Sequence, residues 1–173
     1  QTNGEQINYS NIARDIGISS VTVQEYFKIL EDTLIGFFLL PFSFSERKKH
    51  KLSPKFYFFD TGVIRELQKK LNTPIVPLTF EYGNYFETWL INESMRISSY
   101  GRKDLKFSFL RTAWDVEVDL IIETGKEVIA IEIKSKLAPS SLDFEAGFTA
   151  IKRIAPNARC ICVCPAELPR LVD

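Results

Sequence analysis

The chain has no excess of charge of either sign. Its 22 Lys and Arg balance 22 Asp and Glu over 173 residues. Net charge therefore gives no sign of a nucleic-acid partner, and any basic surface must be local. Histidine is nearly missing. The single His50 lies far in sequence from the carboxylates discussed below, which argues against a histidine base. No apolar run is long enough to span a bilayer, and Phe37-Phe-Leu-Leu-Pro41 is far too short. No stretch reads as a secretory signal. These absences lead us to expect a cytoplasmic protein. The chain opens on Gln1 rather than Met, which suggests a piece of something longer.

Cysteine is scarce too. Cys160, Cys162 and Cys164 alternate with Ile161 and Val163 on one predicted strand. Ligands two residues apart on a regular strand sit about 7 Å apart. That is too far for one tetrahedral zinc. An odd count on one strand argues against disulfides and for a reducing compartment. We expect a buried, unmetallated strand. What is abundant is core material. Fourteen Phe and a hydrophobic content of 45% suit an ordinary globular chain of one domain or two small ones.

The most informative stretch is Glu117-Val-Asp-Leu-Ile-Ile-Glu-Thr-Gly-Lys-Glu-Val-Ile-Ala-Ile-Glu-Ile-Lys134. It reads as two strands around a tight turn, with Gly125-Lys126 as a two-residue loop. Thr124 then faces Glu127, Asp119 falls across from Glu132, and Glu117 across from Lys134. A three-residue loop would put Asp119 and Glu132 on opposite faces. Two carboxylates and a lysine brought together can hold a divalent ion and polarise a phosphodiester. The wet face of an antiparallel sheet would also alternate in this way. Against that, Ile121, Val128 and Ala130 cover the same face nearer the turn. Opposed carboxylates also repel unless a cation sits between them. A metal site and a structural charge cluster both remain open.

Residues 1–72 carry a different signature. A short helix over Asn8–Ile16 with Ser10 as its N-cap, a break at Gly17 and a second helix from Val21 to Asp32, capped by Ser19-Ser20, form a helix-turn-helix. The runs Leu34–Phe42 and Lys55–Phe59 read as strands around a loop, which completes a winged helix. The outward side chains of the second helix (Thr22, Glu25, Lys28, Glu31) are not basic, so that helix is a poor groove reader. The wing is basic. Arg47, Lys48, Lys49 and Lys51, with Lys55, are candidates for sequence-independent phosphate contact, with a solvated loop as the alternative. Residues 73–79, with two prolines, read as a linker. Residues 80–173 then give helix, three strands, helix, strand. The step from the Glu132 strand to the cysteine strand should be a parallel crossover. The expected fold is thus α+β/α/β, with a winged helix-turn-helix followed by an αβββαβ core.

That order, with Asp119 on the second strand and Glu132-Ile-Lys134 on the third, resembles the PD-(D/E)XK nuclease superfamily, the restriction-endonuclease-like fold. The resemblance implies that Asp119 and Glu132 bind Mg²⁺ or Mn²⁺ and that Lys134 positions the attacking water. Glu87 matches the helix-borne glutamate that often joins the metal site. The superfamily's Pro before the Asp is absent here. A wider resemblance covers nearly the whole chain. Its motifs are Ile12-Ala, Gly17-Ile-Ser-Ser, Lys55-Phe-Tyr-Phe-Phe-Asp-Thr-Gly62, Gly83-Asn-Tyr-Phe-Glu87, Leu110-Arg-Thr112, Glu117-Val-Asp-Leu120 and Ile131-Glu-Ile-Lys134. These are similar to the C-terminal region of prokaryotic AAA-type ATPases, a domain of unknown function. Nothing matches the Gly-x-x-x-x-Gly-Lys-Ser/Thr phosphate loop, so ATP and the ATPase would belong to a covalently linked N-terminal module. The resemblance implies a nucleic-acid-directed module with a Mg²⁺-dependent nuclease site acting on DNA, or on RNA. The alternative is a catalytically inactive, nuclease-like assembly module that regulates the attached ATPase. No membrane partner is expected.

Overall fold

A computed structural model describes residues 3–43 and 53–167. Among the described residues, five α-helices flank a six-stranded mixed sheet. The first helix, α1, runs Tyr9–Ile16, and the Asn8 side chain, not the expected Ser10, caps it by accepting the Asn11 N–H at 3.0 Å, because the helix starts before Ser10. Gly17 ends it with φ +74°, a left-handed conformation that glycine adopts at no steric cost. Helix α2 (Ser20–Asp32) follows, with the Ser19 hydroxyl accepting the Thr22 N–H. Strands β1 (Gly36–Pro41) and β2 (Lys55–Phe58) then pair antiparallel. Phe27 of α2 packs edge-on against Tyr9 and Phe56, and beside Phe38. This aromatic cluster ties the two helices to the hairpin.

Helix α3 (Thr61–Leu67) is capped by Asp60, whose carboxylate accepts the N–H groups of Gly62 and Val63. Then come α4 (Phe80–Tyr100), β3 (Lys106–Arg111), β4 (Glu117–Glu123) and β5 (Val128–Ile133). A short 3₁₀ turn (Ser141–Asp143) leads into α5 (Glu145–Ile154), and β6 (Arg159–Val163) closes the order. From residue 80 onward the order is helix, three strands, helix, strand, as the sequence pattern predicts. The strands lie in the order β2-β1-β3-β4-β5-β6. Pairs β3–β4 and β4–β5 are antiparallel, and β5–β6 is the expected parallel crossover.

The sheet does not stop at residues 73–79. Strand β1 pairs in parallel with β3 through Leu40–Ser108 and Pro41–Phe109. Leu39 and Tyr57 share one buried cluster with Ile91, Phe109, Leu120, Ile131 and Ile133. Residues on both sides of the 73–79 segment thus share one sheet and one buried cluster, because an unpaired β1 edge would leave a row of backbone groups without partners. On the other face of the sheet, Leu110, Val118, Ile121 and Ala130 pack with Ile151 and Ala155. Strand β6 is an edge strand and only half-buried, whereas the cysteine pattern predicts an interior one. Its three cysteines are free.

Candidate functional site

The β4–β5 hairpin takes the register that the sequence dictates. Leu120 pairs with Ile131, Ile121 with Ala130, Ile122 with Ile129 and Glu123 with Val128. At the turn, the Thr124 N–H donates to the Glu127 carbonyl at 3.1 Å, and Gly125 has φ +78°. On the other side of β4 the register slips. Ser108 faces Ile121, but Leu110 faces Val118, so β4 spends three residues where β3 spends two. The extra residue is a β-bulge beside Asp119. Its consequence is that Val118 packs on the same side as Ile121. Glu117 is turned away from Lys134 accordingly.

The expected Glu117–Lys134 pairing is therefore replaced. Glu117 Oε1 meets the Lys55 ammonium, and its Oε2 accepts from Arg111 Nη1 at 2.9 Å. Lys55 also reaches Glu87 Oε1 at 3.4 Å, and the Tyr57 hydroxyl donates to the same oxygen at 2.6 Å. Lys55 is only 4% exposed and lies over the Phe109 ring. Its expected place among the wing's phosphate contacts is corrected, because the hairpin tucks under α4 and makes Lys55 the buried counter-ion of two glutamates. Burial alone would lower its ammonium, but Glu87 and Glu117 outweigh that and raise it. Burial, followed by Glu87, pushes the Tyr57 phenol well above its usual range.

Next to this network stands the Asp119, Glu132 and Lys134 group. Asp119 Oδ2 accepts the Ile133 N–H at 2.7 Å. Glu132 is 6% exposed, and its Oε1 accepts from Lys134 Nζ at 2.9 Å. Its Oε2 is buried with no hydrogen-bond partner. Burial, with Glu132 and then Glu87 adding repulsion, pushes the Asp119 carboxyl up to about 7. Burial also raises Glu132, while Lys134 pulls it back. For Lys134, burial works downward, but Glu132 and Asp119 prevail and raise it. Gly147 of α5 lets the helix approach this point. A Cβ there would lie 2.8 Å from the Glu117 carbonyl oxygen and 3.5 Å from Glu132 Oε2.

Of the sequence candidates, Asp119, Glu132 and Lys134 come together. Glu87 is drawn toward Lys55 and Tyr57 instead. No group of three or more His, Cys, Asp or Glu among the described residues is arranged to hold a metal ion. The two carboxylates Asp119 and Glu132 are a sufficient protein share for Mg²⁺, which keeps several waters. Arg47, Lys48, Lys49, His50 and Lys51 lie outside the described residues. The sequence reading missed Tyr57, Arg111 and Gly147. Strand parity could have found the first two. Tyr57 is two residues from Lys55, and Arg111 is two from Phe109, so each shares a face with its neighbour. A cleft of about 900 Å³ opens above Lys55, Glu87, Arg111 and Glu117, between α1–α2 and α4. No helix among the described residues is long and apolar enough to cross a membrane.

Residues 82–170 match the family described as domain of unknown function DUF4143, and residues 1–73 match domain of unknown function DUF8612. The chain is 24% identical over 137 residues to the uncharacterized proteins Mb2031c of Mycobacterium bovis and Rv2008c of Mycobacterium tuberculosis. Each match covers 79% of this chain and 30% of the relative, so the chain spans less than a third of those proteins. No solved structure matches the chain significantly.

Proposed function

This chain belongs to the DUF4143 family, and we propose that it is a nucleic-acid-directed module whose Asp119, Glu132 and Lys134 form a Mg²⁺- or Mn²⁺-dependent phosphodiesterase site. One observation carries the reading. Glu132 Oε2 is buried and unpartnered beside a second carboxylate, and a buried carboxylate oxygen without a donor calls for a cation. The raised Asp119 carboxyl fits the same account, since burial and the neighbouring Glu132 disfavour its ionised form and a bound cation would offset both. A bound divalent ion would polarise the scissile phosphate and lower the pKa of a water.

The chain's own residues would divide the remaining work. Asp119 and Glu132 would supply hard oxygen ligands. The Ile133 N–H holds Asp119 in place, so its ligand oxygen is preoriented. Lys134 would orient the attacking water and offset charge on the phosphate. Gly147 keeps the space beside Glu132 Oε2 narrow without closing it. In this reading α1, α2 and the β1–β2 hairpin form a winged helix, and residues 80–163 form a nuclease-like core. The reading also expects a covalently linked ATPase module and a cytoplasmic location. The DNA-directed part of the reading rests on the basic run Arg47, Lys48, Lys49 and Lys51.

A second reading has its own observation. Glu87 and Glu117 are engaged by Lys55, Tyr57 and Arg111, as in a structural ion network. An inert nuclease-like module that regulates an attached ATPase would look the same there. Nicking of supercoiled DNA in Mn²⁺ separates the two. The nuclease reading expects activity in the wild type and none in Lys134→Ala. Equal behaviour of the two proteins would leave the assembly module standing.

A further inference from the structure

The 900 Å³ cleft is a second feature that the phosphodiesterase reading does not use. Its size lies toward the upper end of small-molecule pockets and is ample for one base. One wall is a stripe on α4. Phe80, Asn84 and Glu87 are four and then three residues apart, so they lie on one face of the helix. The opposite wall is a stripe on α2, where Ser20 and Gln24 are also four apart.

The chemistry of these walls selects the ligand. Phe80 is 80% exposed at the mouth, although its ring gains nothing from water. Asn84 and Gln24 make no side-chain hydrogen bond among the described residues, so both carboxamides are uncommitted. Other amides at the rim are spent. Asn8 caps α1, and Asn3 spans Thr88 Oγ1 and the Phe58 N–H. The charged lining is Glu5, Glu87 and Glu117 against Lys55 and Arg111, and both cations are already ion-paired. A phosphate would find no free cation among the described lining residues. A flat, neutral ring with donors and acceptors on its edge would find a stacking face and two carboxamides.

We propose that this cleft seats one unpaired base of the bound strand, stacked on Phe80 with its edge read by Asn84 and Gln24. The inference rests on the nucleic-acid-directed reading above and names its substrate class, a single strand or an unpaired position in a duplex. The placement suits the chemistry. Glu117 lines the cleft, and its backbone carbonyl lies across Gly147 from Glu132. A base held there would leave its phosphates outside the acidic lining, beside the strand that carries both Glu117 and Asp119.

Fluorescence anisotropy of the 173-residue chain in EDTA tests this. The probes are a labelled single-stranded DNA, its duplex, and a strand of equal length made wholly of abasic deoxyribose phosphate. The expected order is single strand first, with duplex and abasic strand weaker. Phe80→Ala should lose about tenfold for the single strand and nothing for the abasic one. Asn84→Ala should lose about fivefold by the same comparison. Unchanged single-strand affinity in both variants, or abasic binding as tight as the wild-type single strand, overturns the proposal. So does a basic peptide whose affinity, and not the oligonucleotide's, falls with Phe80→Ala. A parallel Mn²⁺ titration keeps the two claims apart. Loss of Mn²⁺ binding would sink the phosphodiesterase site without touching the EDTA measurements.

Discussion

The carboxylate of Asp119 is hydrogen-bonded to the backbone N–H of Ile133, 2.7 Å away on the neighbouring strand. The donor sits between Glu132 and Lys134, so one backbone group fixes all three side chains relative to each other. That contact lies just past the last β4–β5 pair, Leu120–Ile131, and beside the bulge that β4 makes against β3.

The raised Asp119 carboxyl sets a pH dependence. The unfolded chain releases its proton near pH 4, whereas the folded protein keeps it until about 7. Folding thus takes up a proton between those values, and stability falls as pH rises through that window. Thermal melts from pH 4 to 8 should show this decline. Asp119→Asn should flatten it and melt several degrees above the wild type at pH 8. A wild-type curve that rises over this range would contradict the account.

Lys55 should be a stability residue. Lys55→Ala leaves Glu87 and Glu117 without their shared cation in a mostly buried setting. Breaking such a pair costs about 3 kcal/mol. Urea denaturation should show that loss as a lower midpoint with an unchanged slope. If Lys55 were instead a surface phosphate contact, the midpoint would barely move.

How much of this was legible in the sequence differs from residue to residue. The β4–β5 register was readable because Gly125-Lys126 dictates a turn type and the turn dictates every pair after it. The slip beside Asp119 was not, since period-two reasoning assumes a regular strand. A regular strand sets Glu117 against Lys134, whereas in the structure it turns toward Lys55 and Arg111. The pairing of β1 with β3 was also hidden. It joins Leu40 to Ser108 across many residues, and no local pattern encodes such a contact. Lys55 looked like part of a basic wing because Arg47, Lys48, Lys49 and Lys51 precede it. Only its strand parity with Tyr57 marked it as buried.

Gly147 should resist enlargement. A methyl group there would meet the Glu117 carbonyl at 2.8 Å and Val118 Cγ2 at 3.2 Å. Alanine favours a helix interior by about 1 kcal/mol, but overpacking costs about 1–3 kcal/mol. The expected net result of Gly147→Ala is a modest loss of stability by chemical denaturation. It should also weaken metal binding as α5 moves away from Glu132.

The basic run should act through phosphates alone. Neutralising Arg47, Lys48, Lys49 and Lys51 together should weaken DNA binding for every sequence and flatten its dependence on salt. Affinity measured at several salt concentrations checks this. A loss confined to one sequence would mean base reading instead.

Calorimetric titration of Mn²⁺ into the wild type, Asp119→Ala, Glu132→Ala and Lys134→Ala tests the central claim most directly. The account predicts one site in the wild type, its loss in both carboxylate variants, and its survival in Lys134→Ala, since an ammonium is not a ligand. A wild-type protein that binds no Mn²⁺, or carboxylate variants that bind it as well as the wild type, would contradict the account.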